Sequence, residues 1–375
     1  FKYDEKKYDV TLVIIGIDKF KHVNEIYGHD AGDKILKEFA KRLAKECGAF
    51  AIIGRTGGDE FSLFWKSGPD TYLIRNRIEK INKVIENGIS IKNEKISLKS
   101  SIGYSCLPLE KGNDITITKQ ANLALIVAKK YGGNTIVSFS DEIARQEYDY
   151  QVTLSEAREG LQKGQFIIYY QPVVLLESGR VVTCEALLRW KHPTRGLLSP
   201  SAFYSILSDH FFSAAVGKML RQTVIHDLSH LHQFKTYLGS ISLNLSNADF
   251  ESSNFVSDFV QLINENNISA ESIILEVTET MFMHSHRSLR IKQGLRKLAA
   301  EGFPIALDDF GTGYASLTHL RELPIKYLKI DRGFISGILT NEKDRQITMS
   351  ISDLAHSLGL SVIAEGVETK DQLLS

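Results

Sequence analysis

Short apolar runs of strand length recur through the second half of the chain, and segments of helix length separate most of them. The candidate strands lie at 166–174, 181–190, 240–246, 272–278, 304–309, 326–331 and 361–365. Only the short turn LESGR joins the first two, so we expect that pair to be antiparallel. The others should be parallel strands linked by crossover helices. The pattern predicts a TIM-like (β/α)8 barrel.

A closed barrel of this type has eight strands, whereas the chain offers seven candidates. We therefore expect one more strand beyond Ser375, which would make the barrel C-terminally incomplete in this sequence.

The first half of the chain has a different pattern of strands and helices. An apolar run at 10–17 is typical of a buried strand, and helical periodicity covers 20–46. Two strands flank Gly57-Gly58 as a β-hairpin. The remaining candidates are a helix at 70–87, a strand at 96–105, a helix at 117–131 and a strand at 135–139. We predict an α/β domain with a mixed sheet at 1–140, a charged connector helix at 141–164 and the barrel domain at 165–375.

Composition narrows the class of protein. A chain of 375 residues suggests two domains, and 43% hydrophobic residues are enough for two cores. Lys and Arg together number 45, as do Asp and Glu, so we expect no DNA or RNA binding. Three isolated cysteines suit a reducing compartment. With no apolar run long enough to span a bilayer, we expect a cytoplasmic location, with any membrane contact only through segments outside this chain.

Polar side chains stand at the C-terminal ends of the barrel strands. In a parallel barrel these ends open on one face, where such barrels carry their chemistry. Carboxylates, an amide and an ammonium on one face would suit divalent cations and a phosphate substrate. The residues are Glu185, Asn244, Glu276, Asp308, Asp309, Lys329 and Glu365.

Some of these residues also allow a simpler interpretation. Glu185 and Arg189 could form an ordinary salt bridge, and Asp308-Asp309 could cap a helix before a glycine turn. We favour a metal site at Asp308-Asp309, because adjacent acids repel one another and a bound cation removes that repulsion. Lys329 could act as the partner of a water or hydroxide nucleophile, or it could serve as a structural countercharge to the carboxylates.

Two further residues also allow more than one interpretation. Glu279 could anchor the glycine-containing loop after Asp309 or act as a capping-box acid after Thr278, and the sequence leaves both readings open. Glu365 fits either a metal ligand or an acid/base group.

The second half of the chain resembles the EAL family of cyclic-di-GMP phosphodiesterases. The similarity lies in YYQP (169–172), CEALLRW (184–190), LNLS (243–246), LEVTE (275–279), LDDFGTGYASL (307–317), LKIDR (328–332) and AEGVET (364–369). It implies two Mg²⁺ or Mn²⁺ ions and hydrolysis of cyclic-di-GMP to the linear dinucleotide pGpG.

The resemblance also implies roles for individual residues. Metal ligation falls on Glu185, Asn244, Glu276, Asp308, Asp309 and Glu365. Lys329 would position the water, with Glu185, Lys329 and Glu365 as the catalytic residues. Substrate contacts fall on Gln171 and Arg189, and we add Leu187 and Asp331, which share strand faces with Glu185 and Lys329. The family often pairs its barrels, so a homodimer through this domain is expected.

The first half resembles the GGDEF family of diguanylate cyclases, with departures at functional positions. Gly57-Gly58-Asp59-Glu60-Phe61 is intact. Gly16 stands where the family has a metal-ligating aspartate, and Gly133 stands where it has a phosphate-binding arginine. We therefore expect an inactive cyclase that either binds GTP as a regulator or serves as a spacer. The candidate GTP-binding residues are Lys21, Asn24, Asp33, Asp59 and Lys129.

The leading hypothesis is a metal-dependent phosphodiesterase with a degenerate first domain. The alternative is a non-catalytic receptor that binds cyclic-di-GMP and signals to a partner. The complete set of predicted metal ligands argues against the receptor.

Overall fold

The protein, represented by a computed structural model, is described over residues 9–68, 70–91, 94–108, 114–130, 132–233, 239–282, 285–311 and 317–375. The chain divides into two compact units, Phe1–Gln151 and Val152–Ser375. Over these described ranges, no helix is long and apolar enough to cross a membrane. The division falls inside a helix at Asp141–Gln162, which occupies the segment expected to be the connector. The predicted domain boundaries stay a prediction.

The first unit is built on a mixed five-stranded sheet. The described strands of the whole unit, of which β4 and β5 lie outside this sheet, are β1 (Asp9–Ile17), β2 (Ile52–Gly57), β3 (Glu60–Ser67), β4 (Ile89–Ile91), β5 (Glu94–Ile96), β6 (Ser100–Pro108) and β7 (Ile136–Ser138). Its helices are α1 (Phe20–Tyr27), α2 (His29–Cys47), α3 (Thr71–Glu86), α4 (Asp114–Lys130) and α5 (Asp141–Gln162). The sheet order is β2-β3-β1-β6-β7, in which only β6 and β7 pair in parallel, while β4 and β5 form a separate hairpin.

The central strand β1 is buried on both faces, as its continuous apolar run predicts. Val13 and Ile15 pack with residues of α2 and α3 on one face. Leu12 and Ile14 pack with residues of α4 on the other. This alternation follows from the two-residue period of a strand, which sends successive side chains to opposite faces.

Two predictions for the first unit were wrong in detail. The helix expected over 20–46 is interrupted at Gly28, whose φ of +83° belongs to a backbone region that glycine reaches without strain. The strand expected at 96–105 begins at Ser100, and Ile96 instead ends the hairpin strand β5. Three-residue strands are too short to leave a periodic signal in the sequence.

The second unit contains a sheet whose strands alternate with helices along the chain. The strands are β8 (Phe166–Val174), β9 (Val181–His192), β10 (Gly196–Leu198), β11 (Ser240–Asn244), β12 (Ile273–Thr278), β13 (Ile305–Phe310), β14 (Tyr327–Ile330) and β15 (Ser361–Ala364). The α-helices are α6 (His210–Gln233), α7 (Phe255–Glu265), α8 (Ser285–Ala300), α9 (Leu317–Glu322), α10 (Arg332–Gly337), α11 (Glu342–Ser357) and α12 (Lys370–Leu374). Short 3-10 helices lie at Pro200–Ser208, Asp249–Glu251, Ala270–Ser272 and Glu279–Phe282.

The strand order confirms the predicted barrel topology. The hairpin β8–β9 is antiparallel, and β9, β11, β12, β13, β14 and β15 then follow in sequence order as parallel neighbours. The seven predicted strands all form. The short strand β10, which pairs antiparallel with the end of β9, was not predicted.

The apolar face of this sheet packs against the crossover helices. Leu275, Leu307 and Leu328 are fully buried in one cluster with Phe259 of α7 and Leu295 of α8. The alternate residues of each strand therefore face away from these helices. The polar residues lie on this second face.

Candidate metal centre and active site

Polar side chains share one face of the parallel strands. On β12, Glu276 alternates with Leu275 and Val277, and on β14 Lys329 alternates with Leu328 and Ile330. Glu276 and Lys329 are each only 2% exposed. These two buried charges, on strands that flank β13, require partners, because an unpaired charge in a protein interior is strongly unfavourable.

The ammonium of Lys329 lies at the centre of a carboxylate cluster. Its Nζ is 2.7 Å from Glu365 Oε1, 2.8 Å from Glu276 Oε2, 3.1 Å from Asp308 Oδ2 and 3.2 Å from Glu185 Oε2. These residues lie on β9, β12, β13 and β14 and at the residue that follows β15, and Glu185 is the last residue of β9 that pairs in parallel with β11. The structure thus brings the predicted strand-end carboxylates together around one cation.

The cluster carries more negative charge than Lys329 neutralises. Burial opposes the charged ammonium, but the surrounding carboxylates, Glu276 first, outweigh it and raise the pKa of Lys329. Burial, together with Glu185 and Asp308, raises the pKa of Glu276 to about 7 even though Lys329 opposes this. Burial and Asp308 likewise raise the pKa of Glu365. The protein's own side chains therefore leave the site with a surplus of negative charge.

A β-bulge turns the two adjacent aspartates toward this site. Leu307 and Phe310 pair with Leu328 and Ile330, so Asp308 and Asp309 together lie opposite the single residue Lys329. Asp309 has a left-handed φ of +55°, and its N–H donates to Asp308 Oδ1 at 2.9 Å. Regular strand alternation would place neighbouring aspartates on opposite faces of the sheet. The sequence pattern therefore did not predict the β-bulge that brings both to one site.

The donor set fits a divalent cation. One carboxylate oxygen from each of Asp308, Asp309 and Glu365 lies within 4.8 Å of the others. Burial, with the charges of Asp308 and Asp331, raises the pKa of Asp309. Clustered carboxylate oxygens with unmet negative charge are what Mg²⁺ and Mn²⁺ bind in proteins.

Asn244 lies beside the cluster at the end of β11. Its amide Nδ2 donates to Glu185 Oε1 at 2.9 Å, so its side chain meets the carboxylates. The turn after Asn244 is held from behind by Asp249, which accepts hydrogen bonds from the backbone N–H and hydroxyl of Ser246, both at 2.8 Å, and pairs with Arg221. Sequence reasoning missed Arg221 and Asp249, because the two lie 28 positions apart with no motif to join them.

Glu279 lies under the segment that follows Asp309. It is 2% exposed, and its Oε1 accepts a hydrogen bond from the backbone N–H of Gly311 at 3.0 Å. This contact favours the loop-anchor reading over the capping-box reading. Residues 312–316 of the glycine-containing loop lie outside the described residues.

The predicted substrate residues Gln171, Leu187 and Arg189 lie on the β8–β9 hairpin. Gln171 pairs with Glu185 in the β-ladder and is exposed. The guanidinium carbon of Arg189 lies 5.9 Å from the centre of the Tyr169 ring. Within the described ranges Arg189 pairs with no carboxylate, which leaves its guanidinium available to an anionic ligand.

Asp331 has a structural contact of its own. It caps α10, where its Oδ1 accepts from the backbone N–H of Gly333 at 2.8 Å. It is near enough to Asp309 to contribute to that residue's raised pKa.

The residues predicted to bind GTP lie at several different positions in the first unit. Lys21 is a surface side chain, 93% exposed and 4.0 Å from Glu25. Asn24 is on α1, and its buried side-chain Oδ1 has no hydrogen-bond partner among the residues that the structure describes. Asp33 lines a cavity of about 380 Å³ between α2 and β2.

Asp59 and Lys129 lie near the β2–β3 hairpin. Asp59 sits in its turn, and its backbone carbonyl accepts from the N–H of Ile17 at 3.2 Å. Lys129, at the end of α4, pairs with Glu60 at 2.8 Å. The ammonium of Lys129 also occupies the space beside Gly16, so the donor set here does not fit the divalent cations of an active cyclase.

Comparison with known proteins identifies a family for each of the two domains. The model of the EAL domain matches residues 154–374, and that of the diguanylate cyclase GGDEF domain matches residues 2–135. This chain is a tandem GGDEF–EAL protein. The predicted family and fold class are thereby confirmed.

Relatives of this GGDEF–EAL protein include two from Pseudomonas aeruginosa. The bifunctional diguanylate cyclase/cyclic di-GMP phosphodiesterase MucR is 32% identical over 370 residues, which cover 98% of this chain and 53% of MucR. The cyclic di-GMP phosphodiesterase NbdA is 30% identical over 97% of this chain and 46% of NbdA. The chain thus spans about half the length of these curated relatives.

Solved structures of EAL proteins superpose on the GGDEF–EAL chain. The PaMucR phosphodiesterase in complex with c-di-GMP is 33% identical, with a TM-score of 0.56 over 59% of this chain and 89% of that one. The EAL enzyme Bd1971, bound to cAMP and cyclic-di-GMP, is 25% identical, with a TM-score of 0.58 over 86% and 85% of the two chains.

Proposed function

We propose that the second domain hydrolyses cyclic-di-GMP to the linear dinucleotide pGpG in a reaction that depends on divalent metal ions. The observation that supports this most strongly is the cluster of carboxylates around Lys329 at the C-terminal ends of parallel strands. This is the face on which barrels of this type place their catalytic residues. The relatives named as cyclic di-GMP phosphodiesterases point to the same substrate.

The metal ligands would be Glu185, Asn244, Glu276, Asp308, Asp309 and Glu365. Two bound Mg²⁺ or Mn²⁺ ions would polarise the phosphodiester and lower the pKa of a coordinated water. The left-handed backbone at Asp309 turns its side chain toward the site. The hydrogen bond from the Ser246 N–H to Asp249 fixes the turn that follows Asn244.

The protein's own groups would direct the hydrolysis. Lys329 stays protonated and would orient the attacking water by donating a hydrogen bond, while Glu365 would accept the water's proton. The water oxygen forms the new bond to phosphorus, and the bond to a ribose 3′-oxygen breaks. Arg189 would bind a phosphate oxygen, because its guanidinium has no competing carboxylate among the described residues. Gln171, beside Glu185, would contact the substrate at the same edge.

A direct assay tests this proposal. The protein is incubated with cyclic-di-GMP and Mg²⁺ or Mn²⁺, and pGpG is followed by chromatography. Product should appear only with metal and should disappear in Glu185→Ala, whereas Glu177→Ala, an exposed carboxylate on the β8–β9 turn, should leave the rate unchanged. Tight binding of cyclic-di-GMP without product would instead indicate a receptor.

For the first domain we propose a regulatory role for GTP without cyclase activity. Gly16 and Gly133 remove a carboxylate and a guanidinium that cyclases use. The cavity of about 380 Å³ lined by Asp33, Leu36 and Arg55 would receive the nucleotide. GTP and Mg²⁺ should yield no cyclic-di-GMP in Glu185→Ala protein, which could not hydrolyse it. Asp33→Ala should abolish any effect of GTP on the phosphodiesterase rate. Pairing of barrels as a homodimer stays a prediction that analytical ultracentrifugation would test.

A further inference from the structure

An ion pair in the first domain stands where its sequence departs from the cyclase pattern. Lys129 Nζ, from the last turn of α4, donates to Glu60 Oε1 at 2.8 Å. Glu60 opens β3 and pairs with Gly16 of β1 in the β-ladder. A Cβ at position 16 would lie 2.8 Å from Cε of Lys129 and 2.9 Å from its Nζ. The end of the lysine side chain therefore fills the space that a side chain at position 16 would use.

A second acidic residue of this region, Asp18, accepts hydrogen bonds with both of its carboxylate oxygens. Asp18 Oδ1 accepts from the hydroxyl of Ser101 at 2.7 Å, and its Oδ2 accepts from the backbone N–H of Asn134 at 2.7 Å. Oδ2 thus holds the turn at Gly133, whose φ is +77°, and Oδ1 contacts the start of strand β6 at Ser101. Asp18 and Glu60 therefore both have hydrogen-bond or ion-pair partners within the protein.

We propose that the ammonium of Lys129 supplies, at Glu60, the positive charge that divalent cations supply in an active cyclase, so that this domain binds GTP without a metal ion. An ammonium has three protons, and Glu60 accepts one of them, so the others can be donated to phosphate oxygens. A single protein cation would bind the phosphates without activating them for transfer. The inference rests on the proposed GTP-binding role and states how that binding would differ from a cyclase's.

Calorimetric titration of the whole chain with GTP, in EDTA and in Mg²⁺, tests the inference. The Kd should agree within about threefold between the two conditions. Lys129→Gln should weaken binding by about tenfold or more in both, as expected for loss of a charge-assisted hydrogen bond. Lys119→Gln, an exposed position on the same helix, is the matched control and should bind as the wild type does. Binding at least about tenfold tighter with Mg²⁺, or wild-type affinity in Lys129→Gln, would overturn the proposal.

A second measurement decides the metal question without GTP. Free Mn²⁺ is followed by electron paramagnetic resonance as it is titrated into the whole chain. Glu60→Gln should bind as many Mn²⁺ ions as the wild type, whereas Asp308→Asn should bind fewer. Loss of an ion in Glu60→Gln would overturn the proposal. If GTP binds in neither buffer, the proposed GTP role is wrong, and the Mn²⁺ count still decides whether Lys129 replaces a metal.

Discussion

Replacing Lys329 by methionine would remove the single cation at the centre of the carboxylate cluster while keeping a side chain of similar length. In the wild type the ammonium is 2% exposed and lies between 2.7 and 3.2 Å from oxygens of four carboxylates. Without it, Glu276 and Asp308 would face one another and their neighbours with no protein cation between them. We therefore expect Lys329→Met to destabilise the metal-free second domain.

The expected loss of unfolding free energy follows from the effect of removing one partner of a buried ion pair. Breaking a buried ion pair in this way destabilises a protein by about 3–5 kcal/mol. In a domain of 150–250 residues each kcal/mol lowers the melting temperature by about 2–4 °C, so the total shift should be roughly 6–20 °C. The loss should be larger at pH 8 than at pH 6, because Glu276 and Glu365, whose pKa values are raised by burial, take up protons as the pH falls.

Differential scanning calorimetry in EDTA, and then with added Mn²⁺, would measure the effect. Metal should stabilise Lys329→Met more than the wild type, because the ions would neutralise the charges left by the missing ammonium. Lys326→Met is the matched control: Lys326 precedes the same strand but is exposed, so its loss should change stability by less than about 0.5 kcal/mol. Melting of Lys329→Met within about 2 °C of the wild type in EDTA would refute the account of the cluster.

Three further predictions concern single residues of the site. In metal-free protein the pKa of Glu276 is raised to about 7, so the folded state binds its proton more tightly than the unfolded state does. Stability should therefore fall by roughly 3 kcal/mol as pH rises from about 4 to about 8, and denaturant titrations of Glu276→Gln should show a flatter profile. Asp309→Asn keeps a side chain that tolerates left-handed backbone but removes a charge; its metal-free melting temperature should rise while turnover falls by about a hundredfold or more, and unchanged turnover would exclude Asp309 as a ligand. Arg189→Lys should raise the KM for cyclic-di-GMP about tenfold with little change in kcat, because lysine cannot make the paired hydrogen bonds of a guanidinium; equal KM values would remove Arg189 from the binding site.

The barrel strands and the polar residues at their ends could be predicted from the sequence, since both depend on local patterns. An apolar run marks each strand, and its parity decides which side chains face away from the helices. Glu276 and Lys329 were therefore predicted to meet, and in the structure their side chains are hydrogen-bonded at 2.8 Å. The short strand β10 and the hairpin β4–β5 were missed, because three residues contain no measurable period.

Features that depend on contacts between distant segments could not be predicted in the same way. The bulge at Asp308 and Asp309 is defined by the register of β13 against β14, which no local pattern encodes. The pair of Arg221 and Asp249 behind Asn244 joins a helix to a turn. In the first domain, the sequence shows that a ligand is missing at Gly16, but only the three-dimensional structure shows that Lys129 fills the space.

Charge balance explains why the two domains should differ in their need for metal. At Glu60 one ammonium faces one carboxylate, and both oxygens of Asp18 accept hydrogen bonds, from Ser101 and Asn134, so each of these two carboxylates already has partners within the protein. At Lys329 one ammonium faces four carboxylates, with Asp309 beside them, and the surplus negative charge contributes to the raised pKa values of Glu276 and Asp309. We therefore expect bound cations to stabilise the ionised form of the second arrangement. If both proposals hold, the same side-chain chemistry would remove the need for metal in the first domain and create it in the second.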